Sequence, residues 1–346
     1  MSEIAGGIRE ARGHWRPAEC TGTVPLWAWP PRPLATLKWI VGYPGFLFPW
    51  NAVYMLIAIA TWAYLTPELS RTAEFRLDWM AEMYFRNLAF LVIWVGGWHL
   101  RLYRFRAQDS AYKFHPKWPD AKDPTFLWGS QLRDNVFWTL TSACMVWTAY
   151  EAVSMWAYAN GFVPFVDWRT EPVYFTLLML TVPFWREVHF YLVHRLIHWR
   201  PLYRTIHYLH HKNVNIGPWS GMAMHPIEHV LYFSVVVLYW LVPSHPLHVI
   251  FTLQHTAFAP AVGHAGFEKF VVRGKTTLPT GGFFHYLHHR YFECNYGGPA
   301  APLDRWLGTF HDGTPEMHAK MQEKWRRGRR GYGSFDAPTP ADDDLI

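Results

Sequence analysis

The chemistry this chain offers first is histidine at helical spacing. Of its 20 histidines in 346 residues, fifteen lie between His189 and His289. They fall into groups: His194-Arg-Leu-Ile-His198, His207-Tyr-Leu-His210-His211, His225-Pro-Ile-Glu-His229 and His285-Tyr-Leu-His288-His289, with His264 in Gly-His-Ala-Gly-Phe-Glu. Residues i, i+3 and i+4 share one face of a helix. HxxxH therefore stacks two imidazoles one turn apart, and the adjacent rings of HxxHH can address different ions. Eight rings from three helices exceed what one ion takes, since a tetrahedral zinc uses about four ligands, so two ions are implied. Imidazole suits Fe, Cu, Ni and Zn. The three cysteines, Cys20, Cys144 and Cys294, form no CxxC, which speaks against a disulfide framework, a thiolate site or an iron–sulfur cluster.

Other residues around these groups take supporting or bland roles. Glu187, Tyr191, His194 and His198 follow one stripe, i, i+4, i+7, i+11, so Glu187 and Tyr191 are placed to orient the ligands from behind. His189 points elsewhere. Pro226 reads as the first residue of a helix, which sets His225 at the helix start and Glu228 one turn in. His225 is then a candidate ligand or, with Glu228, a support. His229 and His255 read more readily as core than as ligands. His99, His245 and His248 read as hydrogen-bonded core, and His14, His115, His311 and His318 as surface.

The elements that must hold these rings are apolar helices. Aromatic residues make up 18% of the chain and charged residues only 17%, against a typical quarter. Mean hydropathy is −0.07, so local runs decide. From Trp39 to Pro67 no residue carries a formal charge, and about 20 apolar residues span a bilayer. Spanning helices are expected around 46–65, 84–103, 136–158 and 172–192. A further uncharged stretch, His229–Phe267, is broken by Pro243 and Pro246 and reads as a helical hairpin dipping into the membrane or as another pair of spans. Glu151 lies inside the third span and faces either a function or the bundle interior. The basic segment after the second span (Arg101, Arg104, Arg106, Lys113, Lys117, Lys122) places that side in the cytoplasm, and with it all the histidine groups. The expected fold is thus an all-α integral membrane protein of about four transmembrane helices, a membrane-dipping hairpin and a cytosolic histidine-rich cap.

A net charge of +6 without a nucleic-acid motif points to a membrane surface rather than to nucleic acid. The polar N-terminus does not read as a cleavable signal peptide. Three regions are expected: 1–130 with two of the spans, 131–312 with the chemistry, and a polar basic tail, 313–346. The Arg326–Arg330 cluster in that tail reads as a lipid-headgroup contact or simply a solvated end.

The histidine groups, with Met224-His225-Pro226-Ile227-Glu228 and Gly263-His264-Ala-Gly between them, resemble the fatty acid hydroxylase/sterol desaturase superfamily over about 172–312. The stretch His288-His289-Arg-Tyr-Phe-Glu-Cys-Asn295-Tyr296-Gly297-Gly, then Asp304-Arg305-Trp306-Leu-Gly-Thr, is most similar to the sterol C5-desaturase branch. That branch usually has an acidic or small polar residue after the Gly-His, where this chain has Ala265. The resemblance implies two non-haem irons and O2-dependent hydroxylation, desaturation or demethylation of a lipid. By position it implies the ligands His194, His198, His207, His210, His211, His264, His285, His288 and His289. A tenth histidine is usual in such enzymes, and His225 is the candidate here. No flavin, haem or iron–sulfur motif is present, so electrons are expected from a separate ferredoxin or b5-type cytochrome. The substrate is expected to be sterol-like or another apolar lipid, with a fatty-acyl or carotenoid hydroxylase of the same superfamily as an alternative. A membrane-bound zinc hydrolase, a bis-histidine haem protein and a transporter are the rivals. HExxH is absent, haem needs two axial rings, and transporters hold ionisable ligands at mid-membrane. A bacterial inner membrane is the expected location, the endoplasmic reticulum the second.

Overall fold

The computed structural model describes residues 3–4, 6–18, 24–274, 276–298 and 300–331; Cys20 and the end of the expected tail, 332–346, lie outside them. The described part is mostly helical. Three short strands, β1 (Glu3–Ile4), β2 (Gly7–Arg9) and β3 (Trp15–Pro17), form an antiparallel meander. Then follow α1 (Pro33–Val41), α2 (Trp50–Tyr64), α3 (Leu77–His99), α4 (Gln131–Trp138), α5 (Cys144–Ala159) and α6 (Pro172–Ile197). The histidine-rich half continues with α7 (Arg200–Leu202), α8 (Tyr208–His211), α9 (Pro226–Phe233), α10 (Leu238–Leu241) and α11 (Pro246–Gly263). A hairpin of β4 (Lys269–Val272) and β5 (Thr276–Pro279) precedes α12 (Phe283–Tyr291), α13 (Leu303–Trp306) and α14 (Pro315–Gly331).

All four helices expected as spans are present as α2, α3, α4 with α5, and α6. Yet among the described residues no helix is long and apolar enough to cross a membrane. The reasons are local. With 15 residues, α2 is about 22 Å long at 1.5 Å per residue, short of a ~30 Å hydrocarbon layer. The longer α3 spends its first turns on Asp78, Glu82 and Arg86, and α6 carries Arg186 and Glu187.

The expected break at Pro243–Pro246 is real: α9 and α10 form one arm and α11 the other. The second arm, however, is the centre of the bundle. Nearly every residue from Pro246 to Val262 is buried, against α2, α3, α5 and α6. An uncharged run reads alike whether lipid or protein surrounds it. His245 caps the helix, accepting from the Leu247 N–H at 3.0 Å, and His248 Nε2 meets the Phe175 carbonyl at 3.0 Å.

Glu151 faces the bundle interior. Its carboxylate takes Arg86 at 2.5 Å and the Asn87 amide at 3.1 Å, and Arg86 also donates to the Leu65 carbonyl at the end of α2. The pair thus ties α2, α3 and α5 together.

A second core joins the N-terminus to the cap. Trp15, Phe114, Phe283, Tyr286 and Tyr291 pack together, and His14 Nδ1 meets the Tyr286 hydroxyl. His14 is therefore buried. His311 is fully buried and stacks on Tyr291 at 5.0 Å, and half-buried His318 packs on the same ring. The surface reading of these three fails because aromatic rings of α12 cover them, a long-range contact that composition does not encode.

Removing one member of the buried pair leaves the other charge stranded. Glu151→Ala should lower unfolding stability by about 3–5 kcal/mol, while the double change Arg86→Met with Glu151→Leu should recover most of it. Denaturation midpoints of the three proteins check this.

Candidate metal centre

Nine imidazoles converge where α6, α8 and α12 meet the turn after α11. They form two groups: His194, His198, His207, His211 and His288 in one, His210, His264, His285 and His289 in the other, with candidate ligand atoms within 4.8 Å of one another in each. Each HxxHH motif is split between them. His207 and His211 go to the first group and His210 to the second; His285 and His289 go to the second and His288 to the first. The i and i+4 rings share a stripe and the i+3 ring turns aside, so the adjacent rings of each pair stand nearly perpendicular, at 88° and 89°. A π-helical turn, Tyr203–His207, leads into α8; such wide turns recur at functional sites.

The Nε2 atoms face each other. His198 Nε2 lies 3.2 Å from that of His288, 3.1 Å from that of His207 and 3.1 Å from that of His211. His211 and His288 are 3.0 Å apart, and in the second group His264–His285 and His210–His289 stand at 2.8 and 3.1 Å. Two nitrogens at right angles about an ion ~2.1 Å away are about 3.0 Å apart.

Hydrogen bonds from behind fix the tautomers. His288 Nδ1 donates to the Cys294 carbonyl at 2.6 Å, His194 Nδ1 to the Tyr296 carbonyl at 2.7 Å, His207 Nδ1 to Glu228 at 2.8 Å and His210 Nδ1 to the Ala223 carbonyl at 3.3 Å. A neutral ring that donates through Nδ1 has only a lone pair at Nε2. His207 and His288 thus both aim lone pairs at His198, which can donate to at most one of them. This arrangement fits a shared cation on each group and fits hydrogen bonding among rings poorly. Burial pushes His207, His211, His288 and His289 well below the ordinary histidine range and His210 down to about 4, so these rings are neutral at pH 7 and free to ligate.

The supporting residues divide. Glu228 holds His207 directly, as its place one turn into α9 suggested; burial raises its carboxyl well above the usual range, and a cation on His207 would draw it back to the carboxylate. Tyr191 and Glu187 touch no ligand nitrogen. Tyr191 packs edge-on against Tyr296, and Glu187 accepts from the Ala301 N–H, so both act on the 296–301 loop instead. His225 stands apart from both groups: it caps α9, accepting from the Ile227 N–H at 3.2 Å. His229 is core, held between Ser142 and the Met222 carbonyl, and His255 is buried against Asn51.

Some supports had no sequence signal. Ser220 Oγ meets His264 Nδ1 at 2.9 Å. The carbonyls of Ala223, Cys294 and Tyr296 are anonymous in sequence, but the residues shaping their loop are not. Asp304 accepts from the N–H groups of Tyr296 and Gly297 and from the Thr309 hydroxyl. Asn295, at a φ of 52° that asparagine tolerates better than most, donates to the carbonyls of Phe284 and His311. Gly266, at φ 77°, sits where a Cβ would run into the Tyr103 hydroxyl.

The fatty acid hydroxylase family profile matches residues 178–309. A Delta(7)-sterol-C5(6)-desaturase of Nicotiana tabacum is 30% identical over 162 residues, 45% of this chain and 56% of that one. A Delta(7)-sterol 5(6)-desaturase of Candida glabrata is 26% identical over 48% of this chain and 47% of its own length, and one of Aspergillus fumigatus is 25% identical over 74% and 72%. The match thus spans about half the length of the first two relatives. No solved structure matches the chain. The resemblance to the fatty acid hydroxylase/sterol desaturase superfamily, on the sterol C5-desaturase side, stands on these matches.

Replacing Glu228 by Ala should weaken metal binding by roughly 10–100-fold, as loss of such a partner commonly does, while Glu228→Gln, which keeps an acceptor for His207, should lose far less and His225→Ala nothing. Equilibrium metal titrations distinguish them. Because the unfolded rings titrate near 6.5 and the folded ones lower, the unfolded metal-free chain binds more protons below that pH. Its stability should be full above pH 6.5 and fall as pH drops below it, read from denaturation midpoints in chelator.

Proposed function

We propose that this chain is a membrane-embedded, non-haem di-iron oxidoreductase that oxidises an apolar lipid at an unactivated C–H bond, by hydroxylation or desaturation. The observation that carries this is the pair of imidazole groups with inward-facing Nε2 lone pairs. A lone hydrolytic zinc would use about four ligands; five and four in adjacent groups suit two ions. The similarity to Delta(7)-sterol 5(6)-desaturases favours iron and a sterol-like substrate.

Two irons held there would supply O2-dependent attack on the C–H bond. The chain's own residues hold, orient and enclose. Glu228 and the carbonyls of Cys294, Tyr296 and Ala223 keep Nδ1 of His207, His288, His194 and His210 protonated and their Nε2 turned inward. Seven of the nine rings are buried, and His198 and His285 are partly open, which limits water at the reacting atoms. Phe190 stacks on His194 at 4.8 Å and lies 6.3 Å from His285, giving an apolar surface beside both groups. Arg186 lies over the Phe190 ring at 5.2 Å and donates to the Tyr232 hydroxyl at 2.7 Å.

Membrane placement is part of the same reading. Outward-facing apolar side chains run along the bundle, with Leu56 65%, Ile93 72%, Val173 71% and Leu177 57% exposed. So large an apolar exterior suits lipid better than water, and it would admit a lipid sideways. The basic 101–122 segment supports a cytoplasmic placement of the histidine cap. Electrons would come from a separate carrier such as a ferredoxin or b5-type cytochrome, since the two described cysteines are single and buried.

The test is oxygen consumption and lipid product analysis on purified protein with a Delta(7)-sterol, a reductant and O2. Iron-loaded protein should consume O2 and yield an oxidised lipid; chelated and zinc-loaded protein should yield none. Lipid turnover by zinc-loaded protein without O2 would contradict the reading.

A further inference from the structure

Arg186 is a cation inside an apolar bundle, on α6 about two turns before the ligand His194. Its guanidinium donates to the Tyr232 hydroxyl of α9 at 2.7 Å and stands 5.2 Å from the centre of the Phe190 ring and 5.9 Å from that of Tyr232. Its charge acts on Tyr54 of α2, His255 of α11 and His285 of α12, which places it between those helices. It makes no ion pair among the described residues, and the neighbouring Glu187 gives its carboxylate to the Ala301 N–H.

This guanidinium has more donors than partners. It carries five N–H groups and, among the described residues, meets one protein acceptor, the Tyr232 hydroxyl. That hydroxyl gives its own hydrogen to the Thr256 carbonyl at 3.0 Å, so its oxygen is turned to Arg186 and holds it in place. The two ring faces offset part of the charge but supply no oxygen. An ionisable group at such depth is costly and marks a ligand or its path. Phe190, one turn further along α6, connects Arg186 to the metal centre: its ring packs on His194 at 4.8 Å and lies 6.3 Å from His285. Arg186, Phe190 and His285 are each partly open, while Tyr232 and His194 are closed. The three open side chains form one strip, cationic at one end, apolar in the middle and metal-binding at the other.

We propose that Arg186 receives the polar end of the lipid: it donates to an oxygen acceptor there, and the apolar body next to that oxygen lies along Phe190 towards the metal centre. Oxidation then falls on the part of the lipid nearest its polar end. A sterol hydroxyl and a fatty-acid carboxylate share the acceptor chemistry. The proposal rests on the lipid-oxidase reading for the kind of ligand, but binding to the metal-free chain reads it without turnover.

Equilibrium binding of a radiolabelled Delta(7)-sterol to the purified, metal-free full chain in detergent tests it, alongside two analogues. One has a ketone in place of the hydroxyl, the other only hydrogen. Arginine donates and never accepts, so the ketone should bind as well as the hydroxyl. The deoxy analogue should bind about ten- to hundredfold more weakly, the scale of a hydrogen bond to a charged group. Arg186→Leu should bind all three alike, and Arg186→Lys should keep the preference for oxygen, with melting temperatures recorded to show that the fold is kept. Tyr232→Phe leaves the guanidinium without its orienting hydroxyl and should lose part of the preference; it keeps the test open should Arg186→Leu not fold. Displacement of the sterol by palmitate, lost in Arg186→Leu, would assign the acceptor to a carboxylate; no displacement would assign it to a sterol oxygen. Failure of the iron-loaded protein to turn the sterol over counts against the oxidase reading and leaves these affinities standing. Equal binding of the three sterols by the unaltered chain, rejection of the ketone, no saturable binding of any probe, or unchanged discrimination in folded Arg186→Leu would overturn the proposal.

Discussion

Neutral imidazoles whose Nδ1 protons are spent on neighbours, as those of His207 and His288 are, cannot both turn their Nε2 lone pairs on His198 without something positive between them. That constraint organises the structure. His198 Nε2 stands 3.1–3.2 Å from those of His207, His211 and His288, and His211 and His288 are 3.0 Å apart, while the protons of His207 and His288 are engaged elsewhere, on Glu228 and on the Cys294 carbonyl. Burial keeps further protons out. A cation of about +2 in each group would convert the repulsion into ligation, and would draw Glu228 back to the carboxylate, a nearby negative charge against it.

The rest of the fold can be read as what holds those rings still. The buried helix α11 anchors the bundle and ends at His264, whose N–H continues the helix by bonding to the Pro260 carbonyl. The loop after α12 is shaped by Asn295 and Asp304, so that two backbone carbonyls reach two ligands. The N-terminal meander, through Trp15, packs on the outer face of α12. Ligand precision thus comes from parts of the chain far apart in sequence, which is what a site tolerant of sub-ångström error only must have.

How much of this was legible in the sequence follows from period. Eight of the nine converging rings were legible because i, i+3 and i+4 spacing survives folding unchanged, and the division of each HxxHH between two groups follows from the same geometry. His264 has no partner at helical spacing, so only its place among the histidine groups and the family resemblance mark it. Glu228 was reachable because Pro226 marks a helix start. His225, one residue before that start, turned into a cap because its side chain was nearer the free N–H groups of α9 than the rings. Backbone carbonyls leave no trace in residue types, so three of the five contacts behind the rings were invisible. Membrane spans were the least legible: the uncharged run of α11 is apolar because protein surrounds it, and the 15-residue α2 ends sooner than its apolar stretch suggests.

The claim on which all else rests is that the two groups hold two ions at once. Anaerobic titration of the metal-free chain with ferrous iron, followed by equilibrium binding and by absorption, measures this directly. The account predicts saturation at two irons per chain without a haem band. Saturation at one, or no tight binding in a folded chain, would contradict it.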